Sequence, residues 1–186
     1  MNQKSQHYLL ALARQTLVDY FTIGEKLKIN ENDLPDSDLA KIAATFVTLT
    51  KEGELRGCIG NLVPKKKLYE DVVNNTLLAG FGDPRFVPLE EAELKQVKIE
   101  ISVLSDSHAY KYHSPEELLG SIKPGEHGVI LQLEYAQSTF LPQVWEDLPD
   151  KKEFLKNLSQ KAGLPEDAWM NPQAELFYYT VENFSE

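Results

Sequence analysis

Thr45-Phe46-Val47-Thr48-Leu49-Thr50-Lys51-Glu52-Gly53-Glu54-Leu55-Arg56-Gly57-Cys58-Ile59-Gly60 is the stretch on which the fold turns. Thr45 to Thr50 is β-branched and alternating, as a half-buried strand requires. Lys51-Glu52-Gly53 carries turn chemistry, and Glu54 to Gly60 returns as a second strand, so the stretch reads as a hairpin. Strands joined by so short a turn pair antiparallel.

Working outward, Leu9, Ala13, Leu17 and Phe21 recur at helical spacing and predict a helix with one buried stripe, stopped at Gly24. Asn30 to Asp38, with Pro35, reads as a surface loop. Leu68 to Phe81 reads as a second helix, capped at Gly82 and barred from continuing by Pro84. Val97, Ile99, Ile101 and Val103 alternate on one strand. Ser114-Pro115-Glu116-Glu117 opens a short helix with a capping box and proline at its first position. Gly128 to Tyr135 and Ser138 to Leu141 form a second strand pair. Asp150 caps a helix that carries Phe154, Leu155, Leu158 and Ala162 and stops at Gly163. Glu175 to Glu182 closes the chain as one strand. Helices and strands do not alternate strictly, so the expected class is α+β, a mainly antiparallel sheet flanked by helices. With 186 residues the chain fits one domain, or one domain with two lobes.

The formal net charge of −10 opposes general binding to a phosphate backbone, and Lys65, Lys66 and Lys67 form the only run of three basic residues. Nucleic acid is therefore not an expected partner. Met1 to His7 is polar and no apolar run approaches transmembrane length, so no membrane is expected and the location reads as cytoplasmic. Cys58 is the only cysteine, which excludes an internal disulfide and a Cys-rich zinc site. His108 and His113 are five apart, a spacing that suits neither a helix face nor a strand face for a metal pair. No phosphate loop, dinucleotide fingerprint or Gly-x-Ser-x-Gly elbow occurs, and no metal or cofactor is expected.

The segment with chemical character is Leu55 to Gly60. Glycine weakens a strand interior unless something must come close to the backbone, and here Gly57 and Gly60 bracket Cys58. Strict alternation puts Leu55, Gly57 and Ile59 toward the core. Arg56 and Cys58 then share the other face, about 7 Å apart, with Gly60 leaving room beside the thiol. A guanidinium near a thiol favours the nucleophilic thiolate. One reading is thus an activated cysteine in a cleft; the other is a small buried hydrophobe. Asp83-Pro84-Arg85-Phe86 follows a helix end. It reads either as Asp83 orienting Arg56 or Arg85 in a carboxylate fork toward an anion, or as a capped turn with a structural ion pair. His127, between Gly125 and Gly128, reads as a general base or as a turn histidine. Gln143 and Trp145 line a pocket, present a partner surface, or pack at a strand end. The acidic run Glu90, Glu91, Glu93 reads as the start of a solvated helix.

Leu55-Arg56-Gly57-Cys58-Ile59-Gly60 resembles the hallmark motif of the AMMECR family, named for the Alport-syndrome, midface-hypoplasia and elliptocytosis chromosomal region. Its prokaryotic members are also called AmmeMemoRadiSam system protein A. Phe46-Val47-Thr48-Leu49, Asp83-Pro84-Arg85-Phe86, Ile101-Ser102-Val103-Leu104-Ser105, Gly125-Glu126-His127-Gly128, Phe140-Leu141-Pro142-Gln143-Val144-Trp145 and Lys161-Ala162-Gly163-Leu164 look like further family blocks in the family's order. The resemblance covers nearly the whole chain. It implies one AMMECR-type domain over residues 1–186, with a larger and a smaller lobe and a cleft between them. It also implies a motif of catalytic or regulatory character, but no particular reaction. The prokaryotic name implies a shared pathway or complex with a Memo-type protein, similar to extradiol dioxygenases, and a radical S-adenosylmethionine protein. It gives this chain no iron or cluster site, since one cysteine cannot hold an iron–sulfur cluster of the usual kind. Two functions remain. In one, Cys58 is a nucleophile, Arg56, Gly57, Gly60, Asp83, Arg85 and Gln143 surround a small anion, and His127 moves protons. In the other, the chain is a non-catalytic interaction module.

Overall fold

The hairpin forms with strands β1, Ile42–Lys51, and β2, Glu54–Gly60. Glu52 and Gly53 both take positive φ, 55° and 87°, and this two-residue turn matches the twist of the strands it joins. The computed structural model describes residues 1–24, 27 and 29–186. Among them the chain divides into two compact units, residues 1–104 with 182–186, and residues 105–181.

In the first unit, helix α1, Gln3–Ile23, is capped by Asn2, whose side chain accepts from the Ser5 amide, and ends where Gly24 turns left-handed. A two-residue strand, β3 at Lys66–Lys67, leads into helix α2, Leu68–Phe81, and strand β4 follows at Val97–Leu104. Strand β1 pairs antiparallel with β2, β3 and β4. The sheet order is β2-β1-β4-β9, where β9 is Val181–Ser185, so β2 lies at an edge. Leu9, Ala13 and Leu17 of α1 and Val72 and Val73 of α2 pack with Val47, Leu49, Ile99 and Ile101 of the sheet in one buried cluster. Asn30 to Asp38, expected as a loop, contains the 3₁₀ turn Glu31–Asp33 and the start of a second, Ser37–Ala40.

The second unit holds a four-stranded antiparallel sheet in the order β5-β8-β6-β7. These strands are β5, His108–Ala109, β6, Gly128–Leu133, β7, Ala136–Phe140, and β8, Glu175–Tyr179. Helices α3, Pro115–Ser121, α4, Val144–Asp147, and α5, Lys151–Lys161, complete it. Leu118, Trp145, Phe154, Leu155 and Leu158 join Val129, Leu131 and Leu176 in a second core. The class is α+β, as expected. One correction concerns the last strand: Glu175 to Glu182 is not continuous. It breaks at Thr180, and its two halves enter different sheets. No described helix is long and apolar enough to cross a membrane.

Candidate functional site

The pairing of β1 with β2 slips between Leu49 and Thr50. Leu49 faces Gly57 while Thr50 faces Leu55, so Arg56 is the extra residue of a β-bulge. This overturns the simple alternation expected from the sequence. Leu55 is pushed out to solvent instead of into the core. Arg56 reaches the segment that follows α2. Its Nε and Nη2 grip both carboxylate oxygens of Glu93 at 3.0 and 2.9 Å. Nη1 donates to the Val87 carbonyl at 2.9 Å and Nη2 to that of Pro88 at 3.2 Å. Lys51 adds a third donor to Glu93 at 3.0 Å. These cations, Arg56 foremost, pull the Glu93 carboxyl down to about 2. Arg56 is thus a clamp holding residues 87–93 to the sheet, and its guanidinium is taken up by protein. Glu93 was expected on a solvated helix; it sits instead in a single 3₁₀ turn, Glu91–Glu93, with its side chain largely covered.

Cys58 is half-buried and pairs across with Thr48, whose hydroxyl donates to Sγ at 3.2 Å. On an edge strand its own amide and carbonyl point outward, and two side chains from the Asp83-Pro84-Arg85 turn meet them. The Cys58 N–H donates to Asp83 Oδ2 at 2.9 Å, and Arg85 Nη2 donates to the Cys58 carbonyl at 3.1 Å. Asp83 and Arg85 are themselves joined by a fork, Nε to Oδ1 at 2.9 Å and Nη2 to Oδ2 at 2.7 Å. A carboxylate and a guanidinium therefore stand in for the missing neighbour strand at one residue, the one with the thiol. Arg85, then the Cys58 amide, hold the buried Asp83 carboxyl well below the usual carboxylate range despite its desolvation. The fork forms with Arg85 and not with Arg56. The cation beside Cys58 is Arg85, whose side chain remains 54% exposed.

The glycines have a different role from the one expected. A Cβ on Gly57 would lie 2.1 Å from the Ala79 carbonyl oxygen of α2, so this glycine exists to let helix and strand touch. A Cβ on Gly60 would lie 2.2 Å from the Phe46 ring. The room expected beside the thiol is filled by that ring. Just past Gly60, Asn61 donates to the buried carboxylate of Asp71 at 2.9 Å, which also accepts from the Thr45 amide and hydroxyl and from Asn75. This network pins the end of β2 and the start of β1 to α2. Asn61 Oδ1 is left as a buried acceptor without a partner.

A family model described as AMMECR1 matches residues 10–184, nearly the whole chain. The chain belongs to the AMMECR1 family. Protein MK0488 of Methanopyrus kandleri is 38% identical over 183 residues, covering 96% of this chain and 87% of its own length. Protein NEQ441 of Nanoarchaeum equitans is 36% identical, covering 95% of this chain and 98% of its own. The crystal structure of the uncharacterized protein PH0010 from Pyrococcus horikoshii superposes with a TM-score of 0.86 at 30% identity, covering 100% of this chain and 93% of that one.

The other expected site residues of this AMMECR1 chain lie in the second unit. His127 ends a tight turn that starts at Lys123 and passes through Gly125 at φ 78°. Its partners are Tyr110, at 2.8 Å from Nδ1, and the Lys123 amide; none of its hydrogen bonds involves Cys58. Gln143 is exposed, and its side chain makes no hydrogen bond among the described residues. Trp145 is buried against Phe154, ring centroids 3.6 Å apart, and its indole N–H donates to the His127 carbonyl at 2.7 Å. The structure thus brings together Cys58, Asp83 and Arg85, and separately Arg56 with Glu93. It adds Asn61, Asp71 and Asn75, which the sequence reading does not single out, and gives Thr48 and Glu93 bonding roles that reading does not assign. The signal for Asp71 and Asn75 was available: two polar residues four apart beside the apolar stripe of Leu68, Val72 and Val73.

Proposed function

We propose that this AMMECR1-family chain binds a small anion at the edge of β2 and that the Cys58 thiol is the reactive group there. The observation that carries the reading is the state of Arg85. The Asp83 fork fixes its guanidinium on the Cys58 carbonyl, yet it stays exposed and its Nη1 has no partner among the described residues. A fixed guanidinium with a free edge beside a thiol suits a carboxylate or phosphate. A lone free thiol suits a reducing compartment, and the cytoplasm is the location we assign. The test compares alkylation of Cys58 by iodoacetate and by iodoacetamide. Any change in the thiol itself cancels in the ratio of the two rates. One unit charge about 6 Å away in water changes the approach of an anion by about threefold. Arg85→Gln is therefore expected to lower the iodoacetate-to-iodoacetamide ratio by about that factor. An unchanged ratio, or no alkylation before unfolding, refutes the proposal.

A second reading, the non-catalytic module working with Memo-like and radical S-adenosylmethionine partners, has its own support. Leu55, next to Arg56 in the chain, and Val87, whose carbonyl Arg56 holds, both expose apolar side chains. Leu55→Asp with Val87→Asp is expected to abolish co-purification of such partners while sparing Cys58 alkylation. Retained co-purification refutes it.

A further inference from the structure

The second unit contains a cavity of about 850 Å³ lined by His108, Tyr110, Lys111, Lys123, His127 and Tyr178 among others. Its size falls in the range of small-molecule sites. Among its lining residues is a buried histidine held by its backbone, its ring face and its Nδ1. The His127 amide donates to the Lys123 carbonyl at 3.0 Å, and its own carbonyl accepts from Trp145. The ring stacks on Tyr178, centroids 4.5 Å apart and planes 22° apart. The Lys123 main-chain N–H can only donate, so Nδ1 must accept, and the proton of the neutral ring lies on Nε2. With Nδ1 unprotonated, the Tyr110 hydroxyl, which burial keeps protonated, is the donor in the 2.8 Å bond between them.

His127 is only 5% exposed. Nε2 has no protein partner, yet among the described residues the sole buried side-chain N or O lacking one is Asn61 Oδ1. Nε2–H therefore reaches the cavity. Burial lowers the affinity of the ring for a second proton, Lys123 assisting and Glu126 opposing, so at neutral pH it is an uncharged donor. Around it the cavity offers the rings of His108 and Tyr178, 5.5 Å apart, and two lysines. Lys123 is paired with Glu126 at 3.1 Å, whereas Lys111 forms no ion pair among the described residues. No arginine lines the cavity.

We propose that this cavity is a binding site for a small planar aromatic carboxylate, its oxygen accepting from His127 Nε2–H, its charge facing Lys111 and its ring lying against His108 and Tyr178. The lining also carries Ser107, Ser121 and Thr180, and its one lysine without an ion pair among the described residues suits a single negative charge. A tetrahedral dianion would call for the several donors of an arginine cluster. The flat rings favour a flat partner. The site goes beyond the Cys58 reading and does not depend on it, since its lining lies wholly within residues 107–180.

The experiment is a titration of the intact protein with benzoate, cyclohexanecarboxylate and inorganic phosphate, read on the long-range ¹H–¹⁵N signals of the histidine rings. Benzoate is expected to shift the His127 signals saturably, with a Kd of ~1 mM or tighter for a ligand of its size. Cyclohexanecarboxylate, with the same charge but no planar ring, is expected to bind several-fold more weakly, and phosphate not to saturate. His127→Phe keeps the stack on Tyr178 and removes the donor; benzoate affinity, followed by isothermal titration, is expected to fall at least about tenfold. Lys111→Ala, at an exposed position, is expected to weaken benzoate about threefold without unfolding the chain. Absence of a saturable benzoate shift, phosphate binding as tightly as benzoate, or unchanged affinity in a folded His127→Phe or in Lys111→Ala would each overturn the proposal.

Discussion

Replacing Gly57 by alanine separates packing from ligand contact at the motif. The new Cβ would lie 2.1 Å from the Ala79 carbonyl oxygen and 3.1 Å from its carbon, both backbone atoms of α2. The helix cannot yield easily, because the buried Asp71 and Asn75 tie it to Thr45. The strand must therefore retreat by roughly 1 Å, well beyond what the contact potential tolerates. That movement also stretches the 2.9 Å bond from the Cys58 amide to Asp83. Overpacking of this kind costs about 2–4 kcal/mol, the upper end of its usual range because backbone is involved. For a chain of this size the cost lowers the melting temperature by roughly 5–15 °C. Thermal unfolding, with hydrogen exchange at the Cys58 amide, is the assay; the amide should lose its protection in the variant. Gly120→Ala is the control. It lies in α3 with nothing near its Cβ position, and is expected to be neutral or stabilising by up to ~1 kcal/mol. If Gly57→Ala melts within about 2 °C of the wild type, well below that estimate, the close approach of β2 to α2 is not what the glycine serves. A ligand would then be free to reach it.

Glu93→Gln is expected to lower stability at neutral pH by ~1–3 kcal/mol through loss of charged bonds to Arg56 and Lys51. Glu93 is depressed in the folded state, so its contribution is complete above its ordinary value of 4.5 and is lost as pH falls toward about 2. Urea unfolding of both proteins should therefore show a gap that closes through that window, and a constant gap would contradict the assignment. Asp71→Ala leaves the Thr45 amide and hydroxyl and the Asn61 and Asn75 amides without their shared acceptor. It is expected to cost ~3–5 kcal/mol, measured by the same unfolding, and a loss below about 1 kcal/mol would mean that water replaces the carboxylate.

The hairpin, both long helices, α3, α5 and strand β4 were legible because each rests on local signals: alternation, a cap, a stop glycine. What was not legible depended on pairing between distant segments. The bulge at Arg56 arises from register with Thr50 and Leu49, and no feature of Leu55 to Gly60 alone announces it. It turned Leu55 outward and set Arg56 on Glu93, so the arginine that bonds Cys58, through its backbone carbonyl, is Arg85. The glycine pair signals a close approach in the sequence, but not that Ala79 and Phe46 are what approaches. The break at Thr180 was hidden because Phe177, Tyr178, Tyr179 and Val181 all favour a strand. Only the sheets that receive them tell the halves apart. His127 stood out in the sequence, whereas Tyr110 and Tyr178, which bond its Nδ1 and stack on its ring, lie far from it along the chain.

The division of the chain has a consequence for its synthesis. Residues 105–181 interrupt the first unit, whose sheet is completed only by residues 182–186. On the ribosome, β4 emerges with its partner β1 already made but with its outer edge bare. At usual elongation rates the intervening segment takes roughly 4–15 s to appear. Throughout that interval a strand carrying Val97, Ile99, Ile101 and Val103 offers unpaired backbone to any neighbouring nascent chain. Fusing Val181–Ser185 directly after Leu104 through a short turn, with residues 105–180 supplied separately, would let the sheet close within its own translation and remove that window.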